Sequence, residues 1–373
     1  MIERIREEAR QRFSELGLPT THNEEWRFTS VAPIARTQFA PAPAGIASST
    51  RQPGVQITRL SEAPVEQYLA RYASFQDNAF VAMNTANFED GVFVHIAKGA
   101  VIEEPIEIAV ESFANGHPTV SHPRVLIVAE PDSQATIIES YRGRGGTYFT
   151  NPVTELVAGD HAVVDHYRLQ TEADHAFHVS TLQIQLGRDT NFRSHALAFG
   201  GALVRNDVNA VLSQGAECTL NGLYLVNGAQ HIDNHTSIDH AQPHAASHEL
   251  YKGILEGHSS AVFNGKIFVR KDAQKTDAKQ TNKNLVLSED AVINTKPELQ
   301  ILADDVRCTH GATIGQLDPE GIFYLQSRGI GLADARDLLI YAFARDIVDR
   351  VKVASLRDRL EKLVLEKLHG TRS

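Results

Sequence analysis

A step of about 28 residues recurs through the middle of this chain and restricts the folds open to it. Between about Asn87 and Asp305, short apolar runs at 92–96, 106–110 and 125–129 alternate with Gly, Asp and Asn, and helical periodicity is absent. A polar or Gly-containing turn, then a small residue and an apolar stretch, begins at Ala135, Ala162, Thr190, Cys218, Ala261 and Ala291, at intervals of 27, 28, 28, 43 and 30 residues. Strands inside each step and no helices between them predict a solenoid whose coils stack over one continuous core. A parallel β-helix is favoured. A sandwich stays open, because Asn221-Gly222 and Asn264-Gly265 read either as corners with positive φ or as tight hairpin turns.

The ends read differently. Ile2, Ile5, Ala9, Phe13 and Leu16 lie at three- and four-residue steps, an amphipathic helix closed by Gly17 and Pro19. Residues 40–54, rich in Ala, Pro, Ser and Gly, read as a flexible connector with little to bury. Asp318-Pro319 reads as an N-cap with Pro in the first turn of a helix that Gly329 stops. Ala335, Leu338, Leu339, Ala342, Phe343 and Ile347 form the next apolar stripe, followed by Leu356, Leu360, Leu363 and Val364. These stripes either cover one another in a small bundle or leave a face for a partner. The expected organisation is a helical segment and linker over 1–54, a mixed segment over 55–86, a β-helix over 87–316 and a helical region over 317–373.

Composition removes several functional classes. A formal charge of -10 argues against nucleic acid, whose phosphates need a basic surface. The two cysteines, Cys218 and Cys308, do not make a disulfide framework, so a reducing cytosol is expected. No signal-peptide core opens the chain and no apolar run approaches the roughly 20 residues that span a bilayer, so a soluble, cytoplasmic, membrane-free protein is expected. Neither GxxxxGK[ST], GxSxG nor GxGxxG occurs.

Two groups of residues could carry chemistry. His231, His235, His240, His244, His248 and His258 cluster with Asp233 and Asp239 where the step stretches to 43 residues, and imidazole and carboxylate suit zinc or iron. Against a metal site, the segment holds no HExxH and lies among strands, where such residues are more often polar ladders on exposed faces. The second group is Cys308-Thr-His310. A thiol and an imidazole two residues apart on a strand share a face and suit iron bound with sulfide. More commonly such a Cys is a small core residue and such a His a surface hydrogen-bonding group. Two ligands fall short of the four a cluster usually takes, so a cluster here needs a second chain.

Lys296-Pro-Glu-Leu-Gln-Ile301, Ala303-Asp-Asp-Val-Arg-Cys-Thr-His-Gly-Ala-Thr-Ile-Gly315 and Gly321-Ile-Phe-Tyr-Leu-Gln-Ser-Arg-Gly-Ile330 closely resemble the SufB/SufD family of iron–sulfur cluster assembly proteins. Ala261-Val-Phe-Asn-Gly-Lys-Ile, Lys275-Thr-Asp, Gln280-Thr-Asn-Lys-Asn-Leu285 and Glu24-Glu-Trp-Arg-Phe-Thr29 are similar to the same family, so the likeness spans nearly the whole chain. Thr309 stands where serine is common, and Gly311 where one of the two branches carries glutamate. The resemblance implies a mainly β protein, a right-handed parallel β-helix flanked by helical segments. It implies a non-catalytic scaffold subunit in a complex with SufB and the SufC ABC-type ATPase, with a homodimer as the other assembly left open. It also implies that His310 meets a nascent iron–sulfur cluster shared with SufB, with Cys308 beside it. Leu338, Leu339 and Phe343 would dock SufC, and a flavin at the level of the complex is the electron source left open. The competing readings are a β-helical carbohydrate-active enzyme and a mononuclear metalloenzyme using the 231–258 region.

Overall fold

The small-residue step is the register of a parallel β-solenoid of about eight turns, seen in a computed structural model that describes residues 1–49 and 52–370. Successive strands alternate between two walls. Among the described residues one wall has nine strands, ending with Glu217–Val226, Ala246–Leu255, Asp277–Val286 and Arg307–Gly315; the other has twelve, its main path ending with His231–His240, Ser260–Val269 and Val292–Ile301. Along the main path of each wall a residue pairs in parallel with one 26 to 33 positions later, from Asn191 with Glu217 to Val92 with Val125. Alternate side chains point into the lumen, where Ile127, Leu156, Ile184, Phe192, Leu220 and Phe263 belong to one continuous apolar core.

That register corrects the interval of 43. Ala135, Ala162, Thr190 and Cys218 belong to the nine-stranded wall, whereas Ala261 and Ala291 belong to the opposite one. The residue stacked on Cys218 is Ser247. The apparent stretch is a jump between walls, and 231–258 is ordinary coil.

The Asn-Gly pairs are also not turns. Gly222 and Gly265 sit inside strands, where a Cβ would lie 2.2 Å from the Tyr251 ring and from Gln280 Nε2 respectively. Glycine is there to admit a large side chain from the facing position. The left-handed corners lie elsewhere: Asp132, His161, Asp189, Gly215, His244 and Lys275 all have positive φ at one corner of successive coils. Each donates its backbone N–H to a carbonyl of the next coil, so the donor at each strained corner is satisfied.

Both walls are covered outside by helices. Helix Ile2–Leu16 buries Ala9 against helix Ala79–Asn87 and Val153. Helices Leu332–Val348 and Ala354–Gly370 lay Ile340, Ala344, Ile347, Val348, Leu356 and Leu360 on Tyr167, Leu197, Leu223 and Ile254 of the nine-stranded wall. Ala335 and Ile347 of the expected stripe are buried and Leu339 and Phe343 half-buried, whereas Leu338 and Ala342 face outward. The helices cover the solenoid first. Asp318 caps helix Pro319–Ser327 as expected, accepting the Glu320 N–H. Two parts of 40–54 are not loose connector: Gly45–Ser49 pairs antiparallel with residues 107–111, and Ala40–Pro41 pairs with Thr119 and Val120. Residues 50 and 51 lie outside the described residues. Among the described residues no helix is long and apolar enough to cross a membrane.

Candidate functional site

The C-terminal mouth of the solenoid is open. Val292–Ile301 and Arg307–Gly315 are the last strands of their walls, and among the described residues neither has a ladder partner on its outer edge. Around them Val292, Leu302 and Ile314 are each more than half exposed. An uncapped coil with apolar rim residues and two free edges is a template for strand pairing with another chain.

Cys308 and His310 lie on that last strand, stacked on Ala278 and Gln280, both of which face the lumen. The two candidate ligands therefore share one face at the mouth. Cys308 is half-buried against Ile267, Val269, Ala278 and Ala303. Burial, aided by nearby Asp277, pushes its thiol pKa up, so the thiol stays protonated. His310 is exposed, because no coil covers it.

One and two coils deeper, at Gln280 and Glu249, are two residues that sequence reasoning passed over. Glu249 is buried, and its carboxylate accepts a hydrogen bond from Gln280 Nε2 at 2.7 Å. Burial raises its pKa from the ordinary 4.5 to about 7, against the opposing pull of Thr236 and Gln280. A raised folded-state pKa means stability that is present in acid and lost as pH rises: the unfolded chain ionises first, and the folded carboxyl follows near 7. Between those values the folded state should lose about 3 kcal/mol. Glu249→Gln abolishes that dependence. Its denaturant midpoint is expected to exceed that of the parent at pH 8 and to approach it at pH 5; an offset that ignores pH would show that Glu249 is not the ionising group.

The histidines of 231–258 do not converge. His231 and His235 lie on the outer face beside Asp233, His240 points into the lumen and bonds Ser247 Oγ at 2.8 Å, and His244 is a corner. His248 and His258 are exposed on other faces. Among the described residues no three His, Cys, Asp or Glu side chains are placed to hold a metal ion. His231, Asp233 and His235 instead clamp the Glu24-Glu-Trp-Arg-Phe-Thr29 segment. His235 contacts Glu25 at 3.3 Å and Asp233 at 3.0 Å, the Thr29 hydroxyl bonds both His231 and Asp233, and Arg205 bridges Asp233 to the Glu25 carbonyl beneath the Trp26 ring. Burial opposes ionisation of Asp233, but Arg205 and His235 outweigh it and hold its pKa well below the usual range.

Leu338 is exposed, and Leu339 and Phe343 are half-buried. Phe343 is tied to the solenoid, its carbonyl accepting from Lys252 Nζ at 2.8 Å and its ring lying 4.2 Å from that ammonium. Phe323 and Tyr324 of helix Pro319–Ser327 and Leu332 of helix Leu332–Val348 are exposed as well. These helices therefore carry outward apolar residues besides those spent on the wall.

The chain matches two family models: the SUF system FeS cluster assembly SufBD core domain over residues 112–343, and the SufBD protein N-terminal region over 47–108. An iron–sulfur cluster assembly SufBD family protein of Synechocystis is 40% identical over 300 residues, 77% of this chain and 66% of that protein. The iron–sulfur cluster assembly protein SufD of Escherichia coli is 28% identical over 96% of this chain and 92% of its own length. The chloroplastic protein ABCI7 of Arabidopsis thaliana is also 28% identical, over 96% of this chain and 84% of its own.

Proposed function

The chain belongs to the SufBD family of the SUF iron–sulfur cluster assembly system, and on that footing we propose that it is a SufD-like, non-catalytic scaffold subunit. A SufB-type chain completes its open mouth, and a SufC ATPase docks on its C-terminal helices. The observation that carries this reading is the position of His310 and Cys308 at the mouth of the lumen, on an edge strand whose outer side has no ladder partner among the described residues.

There the imidazole can give a nitrogen to iron of a cluster under construction, while the partner chain supplies the remaining ligands. The nascent cluster is cargo, assembled at the seam and passed on. Cys308, with its thiol kept protonated, serves as a neighbour and not as a nucleophile. Only residues 316–318 separate the strand bearing His310 from helix Pro319–Ser327. Movement of the docked ATPase at Leu338, Leu339 and Phe343 is thus conveyed directly to the seam. Without a SufB-type chain, the same edges are offered to a second copy.

His310→Ala tests the reading in the co-expressed complex. The SufB-type and SufC chains are expected to copurify as before, while cluster content, read by visible absorption and acid-labile sulfide, falls about tenfold or more. Unchanged cluster content removes His310 from the mechanism, and failure of the other chains to copurify with the unmutated protein removes the complex.

A further inference from the structure

We propose that Gln280, oriented by Glu249, positions the imidazole of His310 and thereby selects which ring nitrogen faces the seam. The inference rests on the role given to His310 above and adds the residues that would make that role specific. Leu220, Glu249, Gln280 and His310 occupy one row of the nine-stranded wall, stacked coil upon coil and facing the lumen. Gln280 is 1% exposed. Its Nε2 is committed to Glu249 Oε2, while its Oε1 is buried and has no hydrogen-bond partner among the described residues.

A primary amide has one donor end and one acceptor end. With the donor end held by a carboxylate, the acceptor end is turned away from Glu249, and the next side chain in the row is His310. Gly265 of the opposite wall makes this placement possible, since a Cβ there would meet Gln280 Nε2 at 2.2 Å. A buried carbonyl oxygen without a donor is costly, about 1–3 kcal/mol. The imidazole N–H of His310 relieves it when the mouth is closed by a partner and water is expelled. The ring then donates from one nitrogen and presents the lone pair of the other to iron, the arrangement by which a supporting acceptor fixes the tautomer of a metal-binding histidine. Rival donors at this end include Thr295 Oγ1, on the last strand of the opposite wall, and Thr236 Oγ1, beside Gly265, both buried and without a partner among the described residues.

The test uses the assembled complex before cluster loading, with imidazole-15N histidine, at pH 8. Long-range 15N–1H correlation spectra report tautomers, and the His310 signals are those lost in His310→Ala. One tautomer should dominate in the parent. In Gln280→Leu, and in Glu249→Gln, where two amides can pair in either sense, both tautomers should appear and cluster yield should fall about tenfold. Thr295→Val should change neither. Copurification of the partner chains with Glu249→Gln, together with its denaturant midpoint, separates a loss of yield from misfolding. If both variants keep the parent tautomer and yield while His310→Ala loses yield, the positioning role is overturned and the scaffold reading stands. If only Thr295→Val redistributes the tautomers, Gln280 is not the partner and the proposal is likewise overturned. If His310→Ala itself keeps full yield, the scaffold reading of His310 fails first.

Discussion

Replacing Arg124 with alanine is expected to cost about 3–5 kcal/mol, the range for breaking a buried ion pair from one side. Arg124 and Glu155 pair beneath the N-terminal helices, both fully buried. Glu155 also accepts the backbone N–H groups of Ala70, Tyr72 and Ala73, and Arg124 donates to Asn84 Oδ1 and Thr85 Oγ1. One guanidinium and one carboxylate thus fasten the 70–85 region to the first coils. Without Arg124, the carboxylate loses the buried cation paired with it, and two further acceptors, Asn84 Oδ1 and Thr85 Oγ1, lose their donor. A neutral pair tests the mechanism: Arg124→Met with Glu155→Gln keeps volume and an acceptor for the N–H groups, and should recover a substantial part of the loss. Trp26, the single tryptophan, packs 5.2 Å from Phe80 of helix Ala79–Asn87 and reports this region by fluorescence in a denaturant titration. A midpoint shift for Arg124→Ala no larger than that of the double variant would show that the charge imbalance is not what matters.

The solenoid was legible because its coil length is a one-dimensional signal: small lumen residues recur wherever a turn enters a wall. What stayed hidden is what that signal does not encode. Two walls per coil carry similar patterns, so an alignment can cross from Cys218 to Ala261 without warning. Asn221-Gly222 imitates a hairpin turn, whereas its glycine answers to Tyr251, 29 positions later. Residues 45–49 have few side chains to bury and are ordered by backbone pairing, which leaves no hydrophobic trace. The stripe on helix Leu332–Val348 does not say by itself which of its residues are buried, because exposed Leu338 is as apolar as buried Ile340 and Ile347.

The mouth was the most readable part of the candidate site. Cys308 and His310 share parity on a strand, and parity survives any choice of register. Their support did not show, since Glu249 and Gln280 are polar residues in apolar company that meet only when the chain is wound at 31 residues. The six histidines illustrate the converse. Nearness in sequence scattered them over an outer face, the lumen, a corner and two exposed positions.

Ile314→Asp separates the seam from everything else the chain does. Ile314 lies on the last strand, stacked on Asn284 and more than half exposed, with the same parity as His310. In the isolated protein an aspartate there remains in water, and the denaturant midpoint should barely change. Once a second chain closes the mouth, that carboxylate is buried without a built-in cation, which costs several kcal/mol. A penalty of about 3 kcal/mol weakens pairing roughly 100-fold. Leu338→Asp is the matching change on the helical face: it should weaken ATPase docking and leave pairing with the SufB-type chain intact. Sedimentation of each variant with each partner reads both constants. Normal pairing by Ile314→Asp would move the seam away from the open end of the solenoid, and with it the reason for placing His310 beside a second chain.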